Sequence, residues 1–393
     1  MNQKKFFLIL IKKYYSYFIF CLILLGIIPF YHDSQIEDIE SSVSKRIEIS
    51  DSHVKGFLNG KLSWQIESDY VWAGKSSYLF QAKNVFNGEL YNSKDELVVK
   101  NLQAQQVKVN SNSKTVTAQK DVSCLFIRRP KVSKRNSFGI LEAKEGKEKE
   151  VKIKADAFKY FSISKRTYLY DNVVIEQDDA NIYPSDGVEV DNDRNVAFLD
   201  EGFLMKSDEF QVSGNNMVIY IDRNYSELSG GIEGRRFAAI DTEDDLDQRE
   251  LDLKKEDTFF NANFMKYKVE DDYKYIDLSG KVLLWQNDKR ITGSKASYNQ
   301  KDDLFSIRHH VEIELANLRW LLDKSEDDPF ENQDINEAIK MATIIKCDLL
   351  TFDANNQILK LSGNILITQK DKVIKADVLE FNDDLNRLVL SGQ

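Results

Sequence analysis

Ile345-Lys346-Cys347-Asp348-Leu349-Leu350-Thr351-Phe352 stands 29 residues before Ile374-Lys375-Ala376-Asp377-Val378-Leu379-Glu380-Phe381. A polar cluster follows each octet: Asp353-Ala354-Asn355-Asn356 after the first, Asn382-Asp383-Asp384 after the second. An apolar run then closes on Ser-Gly, at Ser362-Gly363 and again at Ser391-Gly392. A fixed period with a small residue, a turn and a Ser-Gly in the same places is the signature of a repeat architecture.

The register extends up the chain. In both tail units the small residue precedes the Ser by 15 positions, and Gly214 precedes Ser229 by the same 15. Ala155 precedes Tyr170 by 15, and Gly293 precedes Arg308 by 15, although there the Ser-Gly has become Arg308-His309-His310. Ala104 precedes Val122 by 18, as Cys347 precedes Ile365. One copy departs, with Ala262 lying 17 residues before Ser279. The segments after these positions alternate: Val173-Val174-Ile175-Glu176-Gln177, Val282-Leu283-Leu284-Trp285-Gln286, Val311-Glu312-Ile313-Glu314-Leu315 and Ile365-Leu366-Ile367-Thr368-Gln369. Period-two alternation rich in β-branched residues predicts half-buried strands. The Asn/Asp/Lys clusters between them supply turns with few Gly or Pro, because Asn and Asp tolerate left-handed backbone. The Gly after Ser reads as a bulge or a close backbone approach and needs no chemistry.

The chain has 393 residues with 42% hydrophobic and 30% charged content, enough for a real core and too polar for a polytopic membrane protein. Lys4, Lys5, Lys12 and Lys13 are the only charges before Asp33, leaving 50 basic against 64 acidic residues, a net of −14, for the remainder. An acidic body disfavours nucleic acid, which is bound by neutralising phosphates. Cys21, Cys124 and Cys347 are too few for a disulfide scaffold. Cys124 and Cys347 read either as unrelated buried thiols or as a pair in an oxidising compartment. His32, His53, His309 and His310 form no ligand cluster, so no metal or other cofactor is expected. There is no Gly-x-Ser-x-Gly, no His-Glu-x-x-His and no phosphate-binding glycine loop, so no enzyme activity is expected.

Tyr14 to Tyr31 carries no formal charge and is just long enough to cross a bilayer. Four lysines precede it while Asp33, Glu37, Asp38 and Glu40 follow, which predicts a cytoplasmic N-terminus and an extracytoplasmic body. The apolar core runs into Pro29-Phe30-Tyr31-His32 without a small-x-small cleavage site, so it reads as an uncleaved anchor. The expected organisation is a cytoplasmic tip and anchor (1–32), a juxtamembrane linker (33–60), repeats over 61–240, an acidic connector (241–257) and further repeats over 258–393 with an insertion at 318–342. Residues 128–150, basic and then mixed in charge, read as a solvated loop, and residues 332–341 as a short helix.

The unit Ile-x-Ala-Asp-x-Leu-x-Phe, a turn, then Leu-Ser-Gly-Asn-Ile-x-Ile-x-Gln resembles the OstA-like repeat of lipopolysaccharide-export proteins. The matches are clearest at 345–392, 280–298 and 153–177, and weaker at 102–126 and 212–231. With an N-terminal anchor, the arrangement is similar to the LptC type; the LptA type has the same β-jellyroll behind a cleaved signal. The chain departs from the LptC type in being about twice as long. The resemblance implies an all-β fold, a repeat-built antiparallel β-jellyroll of folded-over sheet, here in two units, behind one transmembrane helix in the bacterial inner membrane. It implies lipopolysaccharide taken from an inner-membrane ABC transporter and passed along an apolar trough in the periplasm. An LptA-like bridge protein would add to the C-terminal sheet edge, left open after Ser391-Gly392-Gln393.

On that reading the groove-lining candidates are Val173, Ile175, Val282, Leu284, Val311, Ile313, Ile365 and Ile367. The competing reading makes the same residues the closed core of a β-sandwich, and the chain an anchored structural or adhesive repeat protein without lipid cargo. Alternation alone does not separate an open core from a filled one.

Overall fold

The computed structural model describes residues 47–73, 78–128, 131–135, 141–145, 149–177, 180–238, 256–270, 273–317, 340–356, 358–382 and 387–391. The anchor read at Tyr14–Tyr31 lies outside them. Among the described residues no helix is long and apolar enough to cross a membrane. Arg46–Gln393 forms one compact unit.

That unit is a single antiparallel sheet laid down in chain order. It begins with β1 (Ile47–Leu58), β2 (Lys61–Ala73), β3 (Leu79–Tyr91), β4 (Leu97–Asn110) and β5 (Thr115–Arg128). A separate two-stranded hairpin follows, β6 (Lys131–Arg135) with β7 (Leu141–Glu145), in the stretch read as a loop. The sheet resumes at β8 (Lys149–Phe161), which pairs back with β5.

Next come four rungs, each broken in the middle into two short strands. They are β9 (Arg166–Tyr170) with β10 (Val174–Gln177), β11 (Ala180–Pro184) with β12 (Gly187–Asp191), β13 (Val196–Leu199) with β14 (Phe203–Lys206), and β15 (Phe210–Gly214) with β16 (Asn216–Tyr220). Long strands then return as β17 (Tyr225–Arg236), β18 (Thr258–Glu270), β19 (Tyr273–Gln286), β20 (Lys289–Asn299) and β21 (Leu304–Leu315). The sheet continues through β22 (Thr343–Asp353), β23 (Ile358–Gln369), β24 (Lys372–Asn382) and β25 (Arg387–Ser391).

The long strands are bent too. Register shifts interrupt the pairing at Gln119/Val122, Ser229/Ile232, Ser279/Val282, Arg308/Val311 and Ser362/Ile365. At each, two successive residues have positive φ: Lys120-Asp121, Gly230-Gly231, Gly280-Lys281, His309-His310 and Gly363-Asn364, with Asp171-Asn172 between β9 and β10. A pair of left-handed residues turns the strand through a corner, without steric cost for Gly and at some cost for the Asn, Asp, His and Lys that also stand there. The Ser-Gly of the repeat is therefore the corner of a folded sheet. Arg308-His309-His310 makes the same corner with non-glycine residues.

The small residue of the repeat lies on the neighbouring rung, inside the corner. Val122 pairs Ala155, Ile232 pairs Ala262, Val282 pairs Gly293, Val311 pairs Cys347 and Ile365 pairs Ala376. A Cβ built on Gly214 would lie 2.6 Å from Ile232 Cδ1, so no side chain fits at that position. The Asp after the small residue points outward and ties the next corner: Asn172 Nδ2 donates to Asp156 Oδ2 at 2.6 Å and Asn364 Nδ2 to Asp348 Oδ2 at 2.7 Å. Ala262 holds its proper place opposite Ile232. Its spacing of 17 arises because β18 and β19 stay paired as far as Glu270 and Tyr273, whereas Asp353 and Ile358 close the corresponding ladder earlier.

The corners divide the sheet into two arms. One carries β10, β11, β14, β15 and segments such as Val282–Gln286 and Ile365–Gln369; the other carries β9, β12, β13, β16 and segments such as Tyr273–Ser279 and Ile358–Ser362. Phe126, Ile153 and Ile175 of the first arm face Val190, Ala197 and Ile219 of the second across one cleft. The outer faces carry cross-strand ion pairs such as Lys154–Glu176 at 2.5 Å and Lys346–Glu312 at 3.0 Å. This is the all-β, folded-over architecture that the repeat implied.

Two boundaries differ from the expected organisation. Ile47–Leu58, inside the stretch read as a linker, pairs with β2 as a full strand. β17 pairs with β18 on both sides of the corner, so one sheet runs past the acidic stretch read as a connector between two units. Residues 239–255 lie outside the described residues, as do 318–339, which hold most of the segment read as a short helix. Leu315 pairs directly with Thr343, so that insertion leaves and rejoins the same arm tip.

Gly363 has φ +78° and its added Cβ would lie 2.5 Å from Asp348 Oδ2. We expect Gly363→Val to lose about 2 kcal/mol or more of stability in urea unfolding, since left-handed backbone and a β-branched side chain conflict. Gly363→Asn should cost clearly less, because the polar residues Asp171 and His309 already occupy the equivalent first corner position.

Candidate functional site

The candidate site is the space between the arms. Its lining follows from the corner: residues two and four positions from each corner residue, on either side, point inward. Val173, Ile175, Val282, Val311, Ile313 and Ile365 are buried there, all within one hydrophobic cluster. Leu284 and Ile367 are only half-buried and pack against that cluster. All eight sequence-derived positions therefore face the interior, but they are not equivalent.

The difference follows position along the sheet. From β2 to β17 the interior is filled: Leu90, Leu102, Phe158, Tyr160, Leu169 and Leu199 are all 0% exposed. From β18 onward the row at the corner stays buried, at Ala262, Val282, Val311, Cys347 and Ile365, while much of the inner face further out on each arm is open. Phe260, Tyr267, Ile276, Ile291, Phe305 and Leu359 are half-buried against the core, like Leu284 and Ile367. Sequence reasoning missed these six; for all but Tyr267, which a register shift puts out of phase, the signal was their even spacing from Ala262, Gly293 and the Gly of the Ser-Gly positions. At β24 the inner-face Ile374 is 49% exposed. The result is an apolar trough, shallow at its floor and accessible from its mouth.

A cleft interrupts the filled part, lined by Phe126, Val151, Ile153, Ile175, Val190 and Ile219, with Tyr220, Asn224 and Tyr225 at its rim. Tyr220 and Tyr225 pack with ring centroids 5.4 Å apart, and Tyr225 donates a hydrogen bond to Glu227 at 2.5 Å.

The filled part is also bolted across its mouth. Lys165, in the turn between β8 and β9 on the second arm, is 6% exposed. Its Nζ donates to Ser63 Oγ at 2.9 Å and to the Tyr91 carbonyl at 3.1 Å, both on the first arm. Tyr160 reaches through the interior to donate to the same Tyr91 carbonyl at 3.1 Å. Nearby, Ser93 Oγ and N donate to the Asp193 carboxylate at 2.7 and 2.9 Å. Burial pulls the Lys165 ammonium below the ordinary lysine value, and the carboxylates of Asp193 and Asp95 oppose that. Burial pushes the Tyr160 phenol up to about 12, so it stays a donor. No sequence pattern marked Lys165, because a lysine in a polar turn is ordinarily solvated.

Among the described residues no group of His, Cys, Asp and Glu could hold a metal ion. Cys124 and Cys347 are both free and buried, which favours separate thiols over a pair.

Residues 152–304, from β8 to the start of β21, match the family described as LptA/(LptD N-terminal domain) LPS transport protein. This stretch of the chain is similar to that family. Among solved structures, the chain is similar to LptH of Pseudomonas aeruginosa, described as the LptA homologous periplasmic component of the lipopolysaccharide transport device. That likeness has 14% identity and a TM-score of 0.27, and covers 33% of this chain and 82% of LptH. No curated protein matches the chain.

Burial raises the Cys124 thiol to about 12 and the Cys347 thiol to about 11. At pH 8 the Cys124 thiolate is then populated at about one part in ten thousand, against about a quarter for a free thiol. We expect both to resist iodoacetamide at pH 8 in the native protein and to label fully in denaturant. Peptide mass spectrometry reads the outcome.

Proposed function

We propose that this chain carries lipopolysaccharide across the periplasm, holding its acyl chains in the trough between the arms of β18–β24. The observation that carries this reading is the continuous inner face of Phe260, Leu284, Ile291, Phe305, Leu359 and Ile367, apolar and left half-exposed. Burying a methylene yields about 0.8 kcal/mol, so an acyl chain of a dozen carbons gains on the order of 10 kcal/mol before ordering costs. That attraction has no direction, so a lipid can slide along the trough without breaking specific bonds. Charged sugars stay outside, where the rims carry water and ion pairs. The match of residues 152–304 to a lipopolysaccharide-transport family supports the cargo.

The finer reading makes Tyr14–Tyr31 a single inner-membrane anchor of the LptC type, docking the body at the ABC transporter that supplies the lipid. Transporter ATP hydrolysis drives the movement, and this chain performs no chemistry and needs no cofactor. β25 pairs with Val378–Asn382 of β24, and β23 with Lys372–Ala376. The finer reading joins the next jellyroll, an LptA-like bridge protein, to this part of the sheet by strand addition. A second reading, a structural repeat without cargo, is favoured only by the filled interior of β2–β17.

Site-specific photocrosslinking in cells decides between the two. With a photoreactive phenylalanine analogue at Leu284 or Ile367, we expect adducts with lipopolysaccharide that disappear when ATP is depleted. The same probe at the outward Lys375 should give none. Absence of lipid adducts at both inner positions, in folded and membrane-bound protein, would favour the structural reading. Assembly with the bridge protein should fail when Val373→Pro disrupts the β24 edge.

A further inference from the structure

We infer that Lys165 is a latch that keeps the β2–β9 part of the trough shut, so that cargo is confined to the part beyond it. The inference rests on the lipid-trough reading for the word cargo, and on geometry alone for the latch. Lys165 is the turn residue of one arm and its partners, Ser63 and the Tyr91 carbonyl, belong to the tips of the other. Its backbone has φ +55°, a left-handed conformation that a lysine adopts at a cost. A buried ammonium held by two acceptors is expensive unless both bonds are made, so the closed and open states differ sharply.

Three further features assign a closing role rather than a merely structural one. Tyr160 fills the lumen directly under the lysine, hydrogen-bonding the same carbonyl and lying 3.3 Å from Ser63 Oγ. Ser93 and Asp193 form a second bond between the same arm tips, farther out and exposed, at 2.7 Å. Leu90, Leu102 and Leu169, completely buried, belong to the segment these bonds span, whereas Leu284, Ile291 and Ile367, half-buried, lie beyond it.

The test compares the full chain with Lys165→Met, which keeps the aliphatic stem and removes the donors. Amide hydrogen exchange at Leu90, Tyr91 and Thr167 should quicken roughly ten- to a hundredfold, as loss of hydrogen bonds to a charged group implies. Exchange at Leu361 and Ile365, in the open half, should not change. Ser93→Cys with Asp193→Cys, oxidised to a disulfide in the Lys165→Met background, should restore slow exchange at the arm tips. Unchanged exchange in Lys165→Met, or quickening across the whole sheet, would overturn the latch. In cells, a photoreactive phenylalanine analogue at Trp64 should acquire lipid adducts only in Lys165→Met, and lose them with the disulfide formed. Adducts at Trp64 in the otherwise unchanged chain would also overturn it. Leu284 serves as the reference: no adduct there would sink the lipid reading while leaving the exchange result to judge the latch.

Discussion

Each strand has to reverse its course halfway along without breaking the ladder to its neighbours. Two consecutive left-handed residues perform the turn, and the inside of the turn has no room for two large side chains. Large and small residues therefore alternate from rung to rung at the corner: Val282 with Gly293, Val311 with Cys347, Ile365 with Ala376. Everything else in the fold hangs on that row. It sets how closely the two arms approach, which residues point between them, and which carboxylates point out to tie neighbouring corners.

Given the corner, the interior has two ways to be satisfied. Large side chains can reach across and fill it, as Phe158, Tyr160 and Leu169 do. Otherwise the arms splay and leave apolar surface half-covered, as around Leu284 and Ile291. The same backbone plan thus supports a packed support and an open channel in succession. Leucine and aromatic side chains reach into the first part from both arms among buried valines and isoleucines, and bonds between arm tips reinforce them. The apolar face of the second part is what a soluble sheet ordinarily hides, and its persistence calls for an occupant.

Much of this was legible in the residues because the repeat encodes the corner rather than the strands. Gly280 and Gly363 read as a bulge or close approach and Cys347 and Ala376 as small residues at a fixed spacing, whereas the pairing of large with small across a corner is visible only in the structure. His309-His310 held register without resembling the motif, since left-handed backbone can be supplied by several polar residues. Leu284 and Val282 alternate alike, yet one is half-buried and the other buried. That difference is set by how far the opposite arm stands away, which no single strand records. Lys165 was invisible for the same reason: its partners lie about a hundred residues back for Ser63 and seventy-four for Tyr91. The continuity of the sheet past residues 239–255 was masked by their acidity, which marks a loop but not the end of a ladder.

The sheet is built strictly in chain order, and that makes it a ruler. Adjacent rungs stand about 4.8 Å apart, so one repeat of two rungs lengthens the path by roughly 10 Å. A duplication or loss of one 29-residue unit, such as the spacing from Cys347 to Ala376, would alter reach while leaving every corner intact. Insertions like that between Leu315 and Thr343 emerge at an arm tip and do not touch the count. Distance spanned is in this way a heritable quantity that changes in whole steps, independent of which side chains line the inner face.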